Sequence, residues 1–191
     1  MLNVVIFLGS VRSQRIGHRP ARFLQQQCAA RGWQVNLADP KELDLPLLDK
    51  MYKEYPAGEA PASLEKLAGW IKQADGFMVC SAEYNHSIPP ALSNMLDHFL
   101  EEYLWRPSAI ACYSPGAFGG VRAAMQLRAF LAEIGTPSIS SILPFPNVGD
   151  VFDEQGTTTN ERVLQSAARF LDEFAWVAEA YRARRASGTP F

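Results

Sequence analysis

Short apolar runs alternate with segments of helical periodicity five times along this chain. Leu2 to Leu8 precedes a helical pattern over Arg19 to Arg31, and Gly76 to Cys80 precedes another over Pro89 to Tyr103. The other predicted strands are 33–38, 108–113 and 137–141, and the other predicted helices are 62–74, 120–134 and 159–185. Parallel strands need long crossover connections, and such connections are usually helical. The alternation therefore predicts an α/β protein, a three-layer sandwich with a five-stranded parallel sheet between helices.

Length and composition limit the possible classes of protein. The 191 residues fit a single domain over 1–191, and a net charge of −2 gives no basic surface for nucleic acid. The cysteines Cys28, Cys80 and Cys112 are far apart, so we expect buried thiols in a reducing compartment. The three histidines lack metal-ligand spacing, and no apolar stretch approaches the ~20 residues of a membrane span. With no secretory leader pattern at the N-terminus, these features predict a cytoplasmic protein without metal, membrane or nucleic-acid partners.

The turn after the first predicted strand, residues 9–17, lies where a nucleotide phosphate binds in many α/β folds. It lacks the Gly-Lys-Ser/Thr of a Walker loop and the second and third glycines of a dinucleotide fingerprint. The hydroxyl of Ser10, the guanidinium groups of Arg12 and Arg15, and backbone amides before a helix suit a phosphate monoester. A helix cap at Ser10 with two solvated arginines would explain the same residues equally well.

Two further turns follow the third and fourth predicted strands. Residues 81–90 contain Glu83, Tyr84 and Asn85, and they lead into a helix through two prolines. This places backbone amides and an aromatic ring at the carboxyl end of a strand, where open α/β sheets bind ligands. Residues 113–120 contain three glycines, which would allow the backbone to approach a flat ligand closely, although a simple connector would also contain them.

In this order, the three turns resemble those of the NADPH-dependent FMN reductases, a flavodoxin-like family. The family form of the second turn is Pro-Glu-Tyr-Asn, followed by Ser, Pro and Leu-Lys-Asn. This chain matches it apart from Ala82 in place of the proline and Ser93 in place of the lysine. The resemblance extends over about residues 2–141 and implies a flavodoxin-like sheet of order 2-1-3-4-5.

The resemblance also implies a set of FMN-binding residues. The phosphate would be held by Ser10, Arg12, Arg15, Ile16 and Gly17. The ring would be contacted by Glu83, Tyr84, Asn85, Ser114, Gly116, Phe118, Gly119 and Gly120. No catalytic side chain is expected because the cofactor carries the reaction, and Tyr84 and Asn85 would position the ring.

The implied activity is an NAD(P)H-dependent reductase. NADPH, or NADH with less preference, would reduce bound FMN, which would then reduce a small-molecule electron acceptor in a ping-pong cycle. Quinones, azo compounds, free flavin and metal oxyanions are the acceptors implied, and the implied assembly is a homodimer or a tetramer in which a partner chain walls the flavin. Two alternatives remain open from the residues: a flavodoxin-type electron carrier, and a non-enzymatic flavodoxin-like dimer that has lost flavin.

Overall fold

The computed structural model describes residues 1–191 and contains one five-stranded sheet in which all neighbouring strands are parallel. The strands are β1 (Asn3–Leu8), β2 (Gln34–Ala38), β3 (Gly76–Ala82), β4 (Ser108–Tyr113) and β5 (Ser138–Phe145). Their order in the sheet is β2-β1-β3-β4-β5, so the predicted flavodoxin-like topology is confirmed.

Helices cover both faces of the sheet, as the alternating pattern predicted. They are α1 (His18–Ala30), α2 (Pro40–Leu43), α3 (Ala62–Gln73), α4 (Pro90–Asp97), α5 (Val121–Glu133), α6 (Val148–Val151) and α7 (Glu161–Arg185). Two clusters of buried hydrophobic residues place α1 and α7 against one face of the sheet and α3, α4 and α5 against the other. All of these helices are too short or too polar to span a lipid bilayer.

Two predicted elements differ in extent from the observed ones. The helix predicted over 89–103 ends at Asp97, because the backbone of Leu100 leaves the helical region, and a separate 3₁₀ turn follows at Glu101–Tyr103. The fifth strand continues beyond its predicted end at Ser141 to Phe145 and includes Pro144. A proline is tolerated there because β5 is an edge strand, where one side of the backbone needs no ladder partner.

The carboxyl ends of β1, β3 and β4 determine where a ligand can bind. These strands are hydrogen-bonded neighbours and run in the same direction. The turns that follow them, residues 9–17, 83–89 and 114–120, therefore meet at one edge of the sheet. This is the edge at which doubly wound sheets form their binding crevices.

Candidate functional site

A crevice of about 310 Å³ lies between the turns after β1, β3 and β4. Seven of the residues singled out from the sequence line it: Ser10, Arg12, Arg15, Ile16, Gly17, Glu83 and Tyr84. The other five lining residues were not among the implied FMN contacts, and only the last of them lies outside the three turns: Gln14, Ala82, Tyr113, Pro115 and Val148. Six residues predicted to contact the ring do not line the crevice: Asn85, Ser114, Gly116, Phe118, Gly119 and Gly120.

The start of α1 presents unpaired donors to this crevice. Gly17 occupies the N-cap position without a side-chain cap, and the amides of Ile16 and Gly17 donate no hydrogen bond within the chain. The side chain of Arg12 is exposed and forms no ion pair. A helix N-terminus with free amides beside an uncompensated cation favours binding of an anion. Ser10 does not cap α1, whose N-cap is Gly17; its hydroxyl instead shares a hydrogen bond of 2.6 Å with Tyr84 Oη.

Arg15 lies in the same loop, but its charge is already compensated. Its guanidinium forms a bidentate ion pair with Asp39, including a contact of 2.6 Å from Nη1 to Oδ1, and it also donates to the carbonyl of Ser10. Both side chains of the pair are largely buried. Asp39 follows β2, whose carboxyl end lies beside that of β1. The ion pair could therefore not be predicted from the sequence without the strand order. Arg15 therefore braces the loop, and Arg12 is its free cation.

Tyr113, the last residue of β4, places an unpaired hydroxyl beneath the same loop. The residue is only 5% exposed, and its Oη is buried without a hydrogen-bond partner. A Cβ on Gly17 would lie 1.8 Å from this oxygen, so the glycine is needed for the tyrosine to fit. Burial raises the pKa of Tyr113 well above 10.0, which keeps the phenol protonated as a donor. An unpaired buried donor is costly, so this hydroxyl destabilises the protein as it stands.

Tyr84 and Ser87 close a two-residue hairpin after β3. The amide of Tyr84 donates a hydrogen bond to Ser87 O at 3.1 Å, and the amide of Ser87 donates one to Tyr84 O at 2.9 Å. Between them, Asn85 and His86 adopt positive φ values of 51° and 61°, the conformation of a type I′ turn. Asn is among the residues that accept this conformation, so Asn85 shapes the turn while its own side chain is exposed outside the crevice.

The carboxylate of Glu83 faces α5. It accepts hydrogen bonds from the amides of Arg122 and Ala123, at 3.0 and 3.3 Å, and from Arg122 Nη1 at 3.0 Å. Burial alone would raise the pKa of Glu83, but these hydrogen bonds and the Arg122 charge lower it. The same guanidinium lies 4.2 Å from the ring centroid of Phe118, which is 62% exposed. Glu83 thus ties the turn after β3 to the first turn of α5 and has no free charge for a ligand.

Two of the glycines after β4 are packed closely inside their own turn. Gly119 and Gly120 are buried with φ values of 60° and 84°, and added Cβ atoms would lie 2.9 Å from Pro146 N and from the Tyr113 backbone respectively. Positive φ and close packing inside the turn are sufficient reasons for glycine at these two positions. Gly116 is the one whose missing side chain leaves open space, and its carbonyl accepts from Ser114 Oγ at 3.0 Å.

All three cysteines are free and buried, as predicted. Burial raises the pKa of Cys28 and of Cys112 to about 12, and it also raises that of Cys80. None of them is therefore a thiolate near neutral pH. No group of three or more His, Cys, Asp and Glu side chains is arranged to bind a metal ion.

The strand order defines a flavodoxin-like protein, and comparison with known proteins specifies the class. Residues 2–150 match the NADPH-dependent FMN reductase family, and the chain belongs to this family. A quinone reductase from Escherichia coli K12 is 35% identical over 134 residues, which are 68% of this chain and 69% of that protein. A quinone reductase from Pseudomonas putida is 28% identical over 185 residues, covering 92% and 94% of the two chains.

Solved structures agree with the observed fold. FerB, a flavoenzyme NAD(P)H:(acceptor) oxidoreductase from Paracoccus denitrificans, superimposes with a TM-score of 0.75 at 23% identity. The alignment covers 95% of this chain and 99% of that one. Family membership makes this protein an oxidoreductase that uses FMN as cofactor and NAD(P)H as electron donor. It favours the enzyme over the electron carrier and the non-enzymatic protein that the residues alone left open.

Proposed function

We propose that this protein is a quinone reductase that takes electrons from NADPH, or less readily from NADH, and passes them through FMN to a quinone. Azo compounds, free flavin and metal oxyanions are further acceptors in the proposal, and NAD(P)H and the acceptor use the same site in turn, in a ping-pong cycle. The quinone reductases from E. coli and P. putida support the choice of first acceptor. Bound FMN supplies the hydride-transfer chemistry, so the chain has to bind the cofactor, orient it and leave one face open.

The observation that carries this proposal is the unpaired donor set at the start of α1. The buried Oη of Tyr113 has no partner, the amides of Ile16 and Gly17 are free, and Arg12 is not neutralised by any carboxylate. We assign these groups and Ser10 to the FMN phosphate. Arg15 contributes by bracing the loop through Asp39 rather than by direct charge.

The proposed ring site is the surface beside Tyr84. The tyrosine lines the crevice, and its hydroxyl is hydrogen-bonded to Ser10, so the same residue joins the ring site to the phosphate loop. The backbone of Asn85 sets the turn, and Glu83 fixes the turn to α5. Gly116, in the turn after β4, has open space where a side chain would lie. No lining side chain is assigned as an acid or a base.

Three measurements test the proposed function. FMN is titrated into the purified protein and followed by absorbance and fluorescence, and NADPH oxidation is then measured with and without a soluble quinone. Quinone-dependent NADPH consumption with parallel double-reciprocal lines is the expected result for a ping-pong cycle. A protein that binds no FMN, or that oxidises NADPH at the same rate without quinone, would contradict the proposal.

Tyr84→Ala tests the ring site separately from the phosphate site. The phosphate donors remain, so FMN still binds at saturating concentration, but the ring loses its aromatic neighbour and reduction by NADPH slows. Stopped-flow reduction of the saturated variant measures this step. A wild-type reduction rate would remove Tyr84 from the proposed ring site.

We also propose that the protein is a homodimer or a tetramer and is located in the cytoplasm. Val11 and Leu47 line a second cavity beside the β1 turn, and Leu47 is 84% exposed, which leaves apolar surface for a second copy. Free buried cysteines without disulfides are typical of a reducing compartment. Light scattering after size exclusion tests the assembly, and cell fractionation tests the location.

A further inference from the structure

The hairpin from Tyr84 to Ser87 is conformationally costly. Both central residues lie in the left-handed region, and His86, with φ of 61°, occupies the position where type I′ turns favour glycine. A side chain with a Cβ is disfavoured there, and only two backbone hydrogen bonds close the hairpin. The turn therefore needs contacts from elsewhere in the fold to keep this geometry.

Gln126 on α5 provides such contacts. Its Nε2 donates to the carbonyl of His86 at 2.8 Å, and its Oε1 accepts from Ser87 Oγ at 2.7 Å. One side-chain amide thus bonds the two residues on the far side of the turn, and both of its polar atoms are used. The donor and acceptor of a carboxamide are fixed in one plane, so the pair of bonds restrains direction as well as distance.

The near side of the hairpin is restrained independently. Glu83 is bonded to the first turn of α5 through Arg122, and Tyr84 Oη is bonded to Ser10. Neither of these contacts reaches His86 or Ser87. Gln126 is the side chain that joins His86 and Ser87, the second half of the hairpin, to α5.

We infer that Gln126 is a positioning residue for the flavin site: it fixes the strained hairpin on α5 and thereby keeps Tyr84 in the orientation that flavin reduction requires. Gln126 does not line the crevice and acts through the hairpin. The inference rests on the proposed function for its effect on the reaction, whereas its effect on the hairpin does not need FMN.

The first test compares Gln126→Ala with a matched control, Gln26→Ala. Gln26 is also an exposed helical glutamine, and it donates to a loop carbonyl, that of Gln155, at 3.0 Å from α1. Alanine is the better helix former, so neither helix should weaken. Gln126→Ala should reduce the rate of flavin reduction by NADPH about three- to tenfold in FMN-saturated protein, because solvent-exposed bonds make only a modest contribution to positioning. Gln26→Ala should leave the rate unchanged.

A second variant tests whether strain at His86 is the reason. Glycine adopts positive φ without cost, so in a His86→Gly background the hairpin should need less support. The loss caused by Gln126→Ala should then fall to roughly twofold or less, a non-additivity expected of residues that act on one element. An equal loss in both backgrounds would overturn the strain argument.

Amide hydrogen exchange at Ser87 provides a readout without cofactor. Exchange should be faster in Gln126→Ala than in wild type and unchanged in Gln26→Ala, since only the first variant frees the hairpin. If the wild type uses FMN, a wild-type rate of flavin reduction in Gln126→Ala would overturn the inference. Unchanged amide exchange in Gln126→Ala would overturn it as well. Failure of the wild type to bind FMN would instead refute the proposed function, while the exchange result would still decide whether Gln126 holds the hairpin.

Discussion

Replacing Tyr113 by phenylalanine should make the cofactor-free protein more stable and its FMN binding weaker. The Tyr113 hydroxyl is buried and has no partner within the chain, so folding removes it from water without a compensating hydrogen bond. An unsatisfied buried group costs about 1–3 kcal/mol. Taking about 1.5 kcal/mol, the Tyr113→Phe change should raise the Tm by roughly 3–6 °C for a chain of this size.

The same change removes a donor from the proposed phosphate site. Hydrogen bonds to charged groups contribute about 1.5–3 kcal/mol, so the loss of one should weaken FMN binding roughly ten- to a hundredfold. The two effects have opposite signs, which distinguishes them from a general disturbance of the core. Thermal unfolding of the cofactor-free protein and fluorescence titration with FMN measure them in the same samples.

Tyr103→Phe is the matched control for this experiment. Tyr103 is also fully buried, but its Oη donates to the carbonyl of Leu96 at 3.2 Å. Removing this satisfied hydroxyl loses its hydrogen bond, although the Leu96 carbonyl still accepts from the amide of Phe99, and it should lower the Tm with FMN affinity unchanged. A lower Tm for Tyr113→Phe would refute the reasoning that its hydroxyl is unsatisfied, and a higher Tm with wild-type FMN affinity would refute the assignment of this hydroxyl to the phosphate.

Three further predictions concern the turns around the crevice. Arg12→Ala should weaken FMN binding roughly ten- to a hundredfold with little change in Tm, measured by dialysis and flavin fluorescence, because it removes the free cation of the β1 turn; full retention of flavin would contradict its role. Gly119→Ala should destabilise the protein by about 2 kcal/mol in urea titrations, since it combines positive φ with a 2.9 Å approach to Pro146 N, whereas Gly116→Ala, which faces open space, should cost much less. Glu83→Gln should be less stable than wild type above about pH 4.5. The difference in the free energy of unfolding should disappear as the pH falls through the lowered pKa of the folded carboxyl, because protonation removes the same charge from the wild type. A difference that persists in acid would exclude the carboxylate as its source.

The alternation of apolar runs and helical segments was sufficient to predict the sheet and its strand-helix order. Local periodicity is a property of neighbouring residues, so β3 and β4, which are buried along their whole length, could be recognised from their sequences alone. Local sequence was less informative where ends depend on distant contacts. β5 passes through Pro144 because it lies at the sheet edge, and an edge position follows from the strand order rather than from the proline.

The sequence by itself also identified the three turns of the candidate site, because glycines, prolines and polar residues after strands are local signals. What only the tertiary structure decided is the function of each side chain within those turns. Arg15 could be assigned to Asp39, Glu83 to Arg122 and the Tyr113 hydroxyl to the crevice only once strands distant in sequence lay side by side. The physical reason is that the chemistry of a charged group or a hydroxyl is set by its own residue, whereas its partner is set by the segments that the fold brings into contact. Whether such a group is free to bind a ligand therefore depends on the tertiary structure.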